Sequence, residues 1–405
     1  MITSVAGAVS RQRLRIRIPN CVTTEFSFGI DTFLAGVPRD LRGAAVGLVA
    51  NAACLSRDGR PTVEAVASHP DLRLSALLVP EHGWMADSAA GVPVKDTFLP
   101  QWKVPVYSLY GTRRGPDAGL LQNVDLLLFD LPTLGVRCFT YLSTLRYCME
   151  AAAAADIPLV VTDRPVPFPE TVDGPMLEPQ QTSFVGAVPT PLVYGLTACE
   201  AAIFIRDHFR LDLDLRTCLM SGWPAGTDWW PPGLAWRAPS PALRSPDCAR
   251  CYPALVWAEA AAAADIGRET DLAFQVLQWR GVDVREAIER IPAHLVASGT
   301  VTTESGRLRL RAKAGQSFRP VEMAVYLMCA LRDIVPDFRQ TIDRQRLAKL
   351  LGSGQCVDML LASCSPEEII AVWQPDLDRF ERNVQRFRLY PRPVQLPAGN
   401  AGGDE

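Results

Sequence analysis

The chain is predicted to be α/β: a Rossmann-like, mostly parallel sheet domain followed by a smaller α+β C-terminal domain. Three observations lead there. A length of 405 residues suits two domains. The first half alternates short apolar runs with helical stretches, the pattern of βαβ units. A Pro- and Trp-rich segment then breaks this alternation, and a differently patterned second half follows. The expected division is an N-terminal extension over 1–24, the Rossmann-like domain over 25–238, the α+β domain over 239–396 and a disordered tail over 397–405.

The expected strands are the runs 44–50, 74–79, 104–109, 124–129 and 158–161. They are continuously apolar rather than alternating, as suits strands buried on both faces of a parallel sheet. Between them, 62–68 and 140–155 read as helices, the second rich in Ala and of high helix propensity. A third helix over 197–209 is opened by Thr197 with Glu200 three residues on, a capping box. The segment 223–253 contains Trp229, Trp230, Trp236, Pro231, Pro232, Pro239, Pro241 and Pro246. It reads as irregular chain, a linker forming the wall of a cleft, because Pro disrupts both helices and central strands. Beyond it, 258–266 reads as helix, 308–312 as strand, 321–334 as helix, and a terminal helix is expected near 375–387.

Composition excludes several classes. An apolar fraction of 48% and a charged fraction of 21% suit a globular core. A net charge of −3 gives no footprint for nucleic acid. No apolar run reaches transmembrane length, and the N-terminus lacks the charge order of a signal peptide, so a soluble cytoplasmic protein is expected, with no membrane partner. Eleven irregularly spaced cysteines argue for free thiols in a reducing compartment. Cys248 and Cys251 form the one CxxC pair, but a zinc site needs two further ligands at suitable spacing, so no metal is expected. Neither GxGxxG nor a phosphate loop is present, so no cofactor is expected. Oligomeric state is unreadable from the sequence.

Ligands of open parallel sheets bind outside the carboxyl ends of the strands. Here those ends carry Asn51, Glu81-His82-Gly83, Tyr110-Gly111, Asp130 (with the loop running on to Arg137) and Asp163-Arg164. Each has a plain structural alternative. Asp130 can cap a helix, Asp163 and Arg164 can form an ion pair, and His82 can hold the Glu81 loop. Glu81 is the strongest functional candidate, because a carboxylate directly after an apolar run is costly to desolvate. A competing constellation is nucleophilic, with Cys54 activated by His82.

An ordered series of motifs spans about Phe28 to Tyr390. It comprises VGLVAN ending at Asn51, Asp58-Gly59-Arg60, Pro80-Glu81-His82-Gly83 and PVYSLYG ending at Gly111. It continues with Asp130, Gly135, Arg137, Thr140-Tyr141, Asp163-Arg164-Pro165, Gly195, Thr197, Pro239-Ser240-Pro241 and Trp373 with Asp376. In this order the motifs resemble the NamZ-type exo-β-N-acetylmuramidases, bacterial enzymes that release terminal N-acetylmuramic acid from peptidoglycan fragments. The resemblance implies a Rossmann-like catalytic domain, a smaller C-terminal domain and a site in the cleft between them. It implies that Glu81 is catalytic, with Glu259 as the second glutamate. With His82 these form the expected catalytic set. Asn51, Asp130, Arg137, Tyr141, Asp163 and Arg164 are the expected substrate-binding set, with Arg137 and Arg164 suited to a substrate carboxylate. An N-acetyl sugar can also supply its own carbonyl as nucleophile.

The chain departs from the family pattern at Met85, Pro132, Thr133, Val166, Ala242 and Ala260 to Ala262, where the family carries polar residues or a Gly. Lost hydrogen-bonding groups keep a second reading open: a diverged member that binds or modifies a different small molecule. A third reading uses the Trp-rich segment as a docking surface.

Overall fold

The computed structural model describes residues 15–17, 25–223, 229–304, 306–312 and 318–391. Strands β1 (Arg15–Arg17), β2 (Ala44–Val49), β3 (Leu72–Val79), β4 (Thr97–Leu99), β5 (Val104–Ser108), β6 (Leu126–Phe129) and β7 (Leu159–Thr162) belong to one large sheet. Strands β8 (Asp173–Met176) and β9 (Pro191–Val193) pair with each other, and β10 (Leu215–Cys218) returns to the large sheet. The order across that sheet is β1-β10-β7-β6-β2-β3-β5-β4. Only β4 runs antiparallel to its neighbour. Continuous apolar sequence and two-sided burial go together: every residue of β6 and β7 is buried.

The chain moves outward from β2 through β3 and β5, then crosses back to place β6 on the other side of β2. Such a reversal opens a crevice at the carboxyl ends of the strands. Helices Thr62–Ala67, Tyr141–Ala154 and Ala198–Phe209 make the crossovers. The Thr197–Glu200 capping box is present, with Thr197 N donating to Glu200 Oε2 at 3.0 Å.

The second part holds an antiparallel sheet of β11 (Ala264–Asp265), β12 (Val276–Trp279), β13 (Gly299–Glu304) and β14 (Arg307–Ala312), in the order β11-β12-β14-β13. Helices Pro320–Ile334 and Pro366–Val384 pack against β8 of the first part. The two parts thus share one continuous apolar core.

Several expectations are corrected. The Ala-rich stretch 258–266 is not a helix: a 3-10 turn over Val256–Ala260 gives way to β11. Ala262 N donates to Thr341 O, and Arg280 N to Ala263 O, so tertiary backbone pairing overrides local propensity. Within the Pro-rich segment, Pro246–Leu255 is a helix. Pro246 occupies its first turn, where a missing N–H costs nothing, and Ser245 caps it by accepting from Cys248 N. The terminal helix begins at Pro366, ahead of the expected start, with a Ser365–Glu368 capping box. The short strands β4, β8, β9 and β10 escaped sequence reading because runs of three or four mixed residues carry little periodic signal. The tryptophans pack on one another and against the core. Trp229, Trp230 and Trp236 make edge contacts, and Trp230 meets Phe28. The expected tail over 397–405, and the extension over 1–24 apart from β1, lie outside the described residues.

Candidate active site

The loop after β3 turns sharply. His82 has φ 76° and Gly83 φ 74°, both left-handed, and a non-Gly residue in that region is strained by about 1–3 kcal/mol. The turn aims the Glu81 carboxylate into a cavity of about 790 Å³. Glu81 is only 6% exposed, and two donors fix it. Gly91 N–H donates to Oε1 at 2.8 Å, and the Thr140 hydroxyl donates to Oε2 at 2.7 Å. Thr140 immediately precedes the helix Tyr141–Ala154 and turns its hydroxyl to Glu81 rather than capping that helix, so the crossover after β6 meets the end of β3.

His82 is also a wall of the cavity. Its Nδ1 lies 2.7 Å from the Ser88 carbonyl oxygen, which can only accept, so Nδ1 carries the proton. Burial holds its pKa below the usual imidazole value, against the Ser88 carbonyl and the Glu81 charge, which favour the cation. The ring is therefore neutral at neutral pH and leaves Nε2 as an acceptor. Tyr110, from the end of β5, faces the same space, and its phenol is pushed up by burial and by the Glu81 charge. Phe139, Tyr252 and Phe274 supply an apolar face, the usual lining of a small-molecule site.

The opposite wall comes from the second part. Glu259, from the turn before β11, lines the cavity with its side chain 12% exposed. Its Oε1 is 3.1 Å from Arg268 Nη1 and its Oε2 is 3.1 Å from Arg346 Nη2. Arg346 and Lys349 stand on the helix Arg344–Leu351. The first part grips the end of that helix. Arg137 Nη2 donates to Leu351 O at 2.5 Å, a cation on a helix C-terminus, and Glu178 accepts from Gly354 N at 2.8 Å at the start of the next helix. Gly352 sits between them at φ 75°, where a Cβ would collide with the Arg137 guanidinium.

The remaining expected substrate ligands are not on the cavity wall. Asp130 is fully buried and accepts from Thr62 at 2.6 Å, Thr162 at 2.6 Å and Arg164 Nη2 at 2.6 Å. Arg164 adds bonds to the carbonyls of Asp130 at 2.8 Å and Leu55 at 2.9 Å, so its donors face protein, not ligand. Asp163 caps the helix Ala198–Phe209 through Cys199 N at 2.8 Å and accepts from Thr197 at 2.8 Å and Tyr390 at 2.7 Å. Arg137 donates to the carbonyls of Pro175 at 3.0 Å and Thr190 at 2.5 Å besides Leu351. Asn51 donates to Tyr141 Oη at 2.9 Å, and Tyr141 donates to Pro239 O at 2.6 Å. These six residues build the scaffold. Their partners come from distant segments, which the strand-end sequence cannot reveal. The thiolate alternative also fails: burial pushes the Cys54 thiol up to about 12, and its Sγ donates to Asn51 Oδ1 at 3.5 Å.

Sequence reasoning missed Thr140 as the partner of Glu81, and it missed Arg268, Arg346 and Lys349 altogether. Thr140 was visible as part of a motif beside Tyr141. The three cations gave no local signal, because only folding brings them opposite Glu81.

Two family sequence models cover most of the chain. The N-terminal domain of exo-β-N-acetylmuramidase NamZ matches residues 46–247, and its C-terminal domain matches residues 250–390. The chain belongs to the NamZ family. It is 31% identical over 376 residues to the peptidoglycan β-N-acetylmuramidase NamZ of Bacillus subtilis (strain 168), covering 89% of this chain and 91% of that protein. Its fold is similar to the crystal structure of a DUF1343 family protein from Bacteroides fragilis, with TM-score 0.81 and 26% identity, covering 91% of this chain and all 100% of that one. A second DUF1343 protein from the same organism shares the fold at TM-score 0.68 and 21% identity, covering 91% of this chain and 99% of that one.

The departures from the NamZ pattern fall mostly away from the cavity. Only Ala242 lines it. Val166 packs in a small core with Met220 and Trp223, Ala260 and Ala261 are buried, and Met85 is exposed.

Proposed function

We propose that this NamZ family member is a glycoside hydrolase that releases terminal N-acetylmuramic acid from peptidoglycan fragments, with Glu81 as its general acid. The observation that carries this reading is the placement of Glu81: a buried carboxylate, oriented by Thr140 and the Gly91 amide, facing a cavity between two domains. Glycosidic cleavage needs a proton on the leaving oxygen as the C1–O bond breaks, and a carboxyl group positioned at the bond supplies it. The departing alcohol leaves an oxocarbenium-like sugar, and water completes the reaction at C1. His82, neutral and anchored through Nδ1, offers Nε2 to a sugar hydroxyl. Phe139 and Tyr252 give the sugar ring an apolar face.

A cytoplasmic setting is part of the proposal. The described cysteines, nearly all buried, carry free thiols, as suits a reducing compartment, and among the described residues no helix is long and apolar enough to cross a membrane. The alternative, a member turned to another small molecule, rests chiefly on Ala242, the departure at the cavity wall.

Chromogenic N-acetylmuramide and N-acetylglucosaminide separate the readings. Release of the chromophore from the muramide is expected. Absence of release, together with thermal stabilisation by an unrelated metabolite alone, would move the protein to the alternative.

A further inference from the structure

Resting on the hydrolase reading of this cavity, we propose that Glu259 is a positioning residue that clamps Arg268 and Arg346, and that these two guanidinium groups, with Lys349, bind a carboxylate carried by the sugar substrate.

Three observations lead there. First, each oxygen of Glu259 is engaged by a different arginine at 3.1 Å. Two charge-assisted bonds tie this carboxylate to both arginines and fix it between them. Second, the exposures are graded. The Glu259 side chain is 12% exposed, Arg268 37% and Arg346 51%. The carboxylate lies behind, and the cations stand where a ligand reaches them. Third, among the described residues neither arginine side chain has another acidic partner, and a guanidinium carries five N–H donors. Donors therefore remain for a ligand, and both arginines line the cavity.

The charge agrees. This wall brings Arg268, Arg346 and Lys349 to the cavity against Glu259 and Glu269. The excess is positive and stands opposite Glu81 and His82. Guanidinium pairs match carboxylate geometry bidentately, which an ammonium does not. On N-acetylmuramic acid the shared chemistry has two sources: the lactyl ether carboxylate on the sugar, or a carboxylate of a peptide attached to it. Glu259 would set the spacing of the two arginines, one from the turn after β11 and one from the helix Arg344–Leu351.

The test uses the full chain, with calorimetric binding beside kinetics. The probes are N-acetylmuramic acid, its lactyl methyl ester, and muramyl dipeptide, in which the lactyl group is an amide and the free carboxylate is peptidic. Wild-type protein is expected to prefer the acid to the ester by at least about tenfold. The double variant Arg268→Gln/Arg346→Gln is expected to lose that preference and to raise KM for the muramide about tenfold, with kcat little changed. Glu259→Gln is expected to shift KM in the same direction. Equal binding of acid and ester with undiminished dipeptide affinity in the double variant would overturn the carboxylate reading. A loss of kcat on the order of 10³-fold in Glu259→Gln with KM unchanged would make Glu259 catalytic and overturn the clamp. Tight binding of the acid with weak binding of the dipeptide identifies the lactyl source, and the reverse identifies the peptide. A wild-type protein that cleaves no muramide refutes the hydrolase reading alone, because the binding comparison still decides this proposal.

Discussion

Two strand ends of the same sheet, on either side of β2, carry acidic residues with opposite fates. At the end of β6, Asp130 is enclosed by Thr62, Thr162 and the Arg164 fork. At the end of β3, Glu81 has one donor on each oxygen and an open side toward a cavity. Both follow apolar runs, and both are nearly buried. What separates them is the number and charge of partners. A carboxylate matched by a bidentate guanidinium and two hydroxyls holds structure together. One held by a single hydroxyl and a single amide is oriented while its remaining lone pairs face the cavity.

The comparison predicts a split between activity and stability. The largest expected effect is on Glu81→Gln: turnover of a chromogenic muramide falls by about 10²–10⁴-fold while the melting temperature stays near wild type. Retained turnover would erase the distinction between the two strand ends. Next, Arg164→Met strands a buried carboxylate and is expected to destabilise the fold by about 3–5 kcal/mol in urea titrations, with KM of the folded fraction unchanged. An altered KM with intact stability would place this pair in the site after all.

The third prediction concerns Asp163, whose carboxyl burial pushes up to about 7. In the unfolded chain it titrates near about 3.9. The native state therefore binds a proton that the unfolded state has released between these values. Stability from this group is full below about pH 4 and is lost as pH rises through about 7, with a slope of at most ~1.4 kcal/mol per unit. Asp163→Asn should flatten that slope in a pH series of unfolding curves, and an unchanged slope would assign it elsewhere. Fourth, Thr140→Val removes one of the two donors to Glu81, so kcat should fall about tenfold, or ~1.4 kcal/mol of barrier, with a stability change below about 1 kcal/mol. The smallest effect is expected at Cys54→Ala, where kcat should be unchanged, since a buried thiol bonded to Asn51 has no path to the substrate. Inactivation there would restore the thiolate reading.

Much of the sheet was legible. Four of its core strands, β2, β3, β6 and β7, announce themselves as apolar runs, because burial on both faces leaves no room for alternation. The site was legible in one half. Glu81 and His82 stand out because charge at a strand end must be solvated, paired or used. Arg137 shows the limit. Its motif suggested a substrate anion, but its guanidinium lies among the carbonyls of Pro175, Thr190 and Leu351, and burial lowers its pKa to about 10.

By itself, then, the sequence determined where the strands lie, which polar residues end them and which family they resemble. Those are local properties of hydrophobic runs and short motifs. Only the tertiary structure decided which charges line the cavity and which face protein. That choice depends on partners from remote segments: Arg164 for Asp130, Tyr390 for Asp163, and Arg268 and Arg346 for Glu259. Enclosure and charge pairing arise when the chain closes on itself, so no stretch of sequence around Glu81 could have shown that the wall opposite it is cationic.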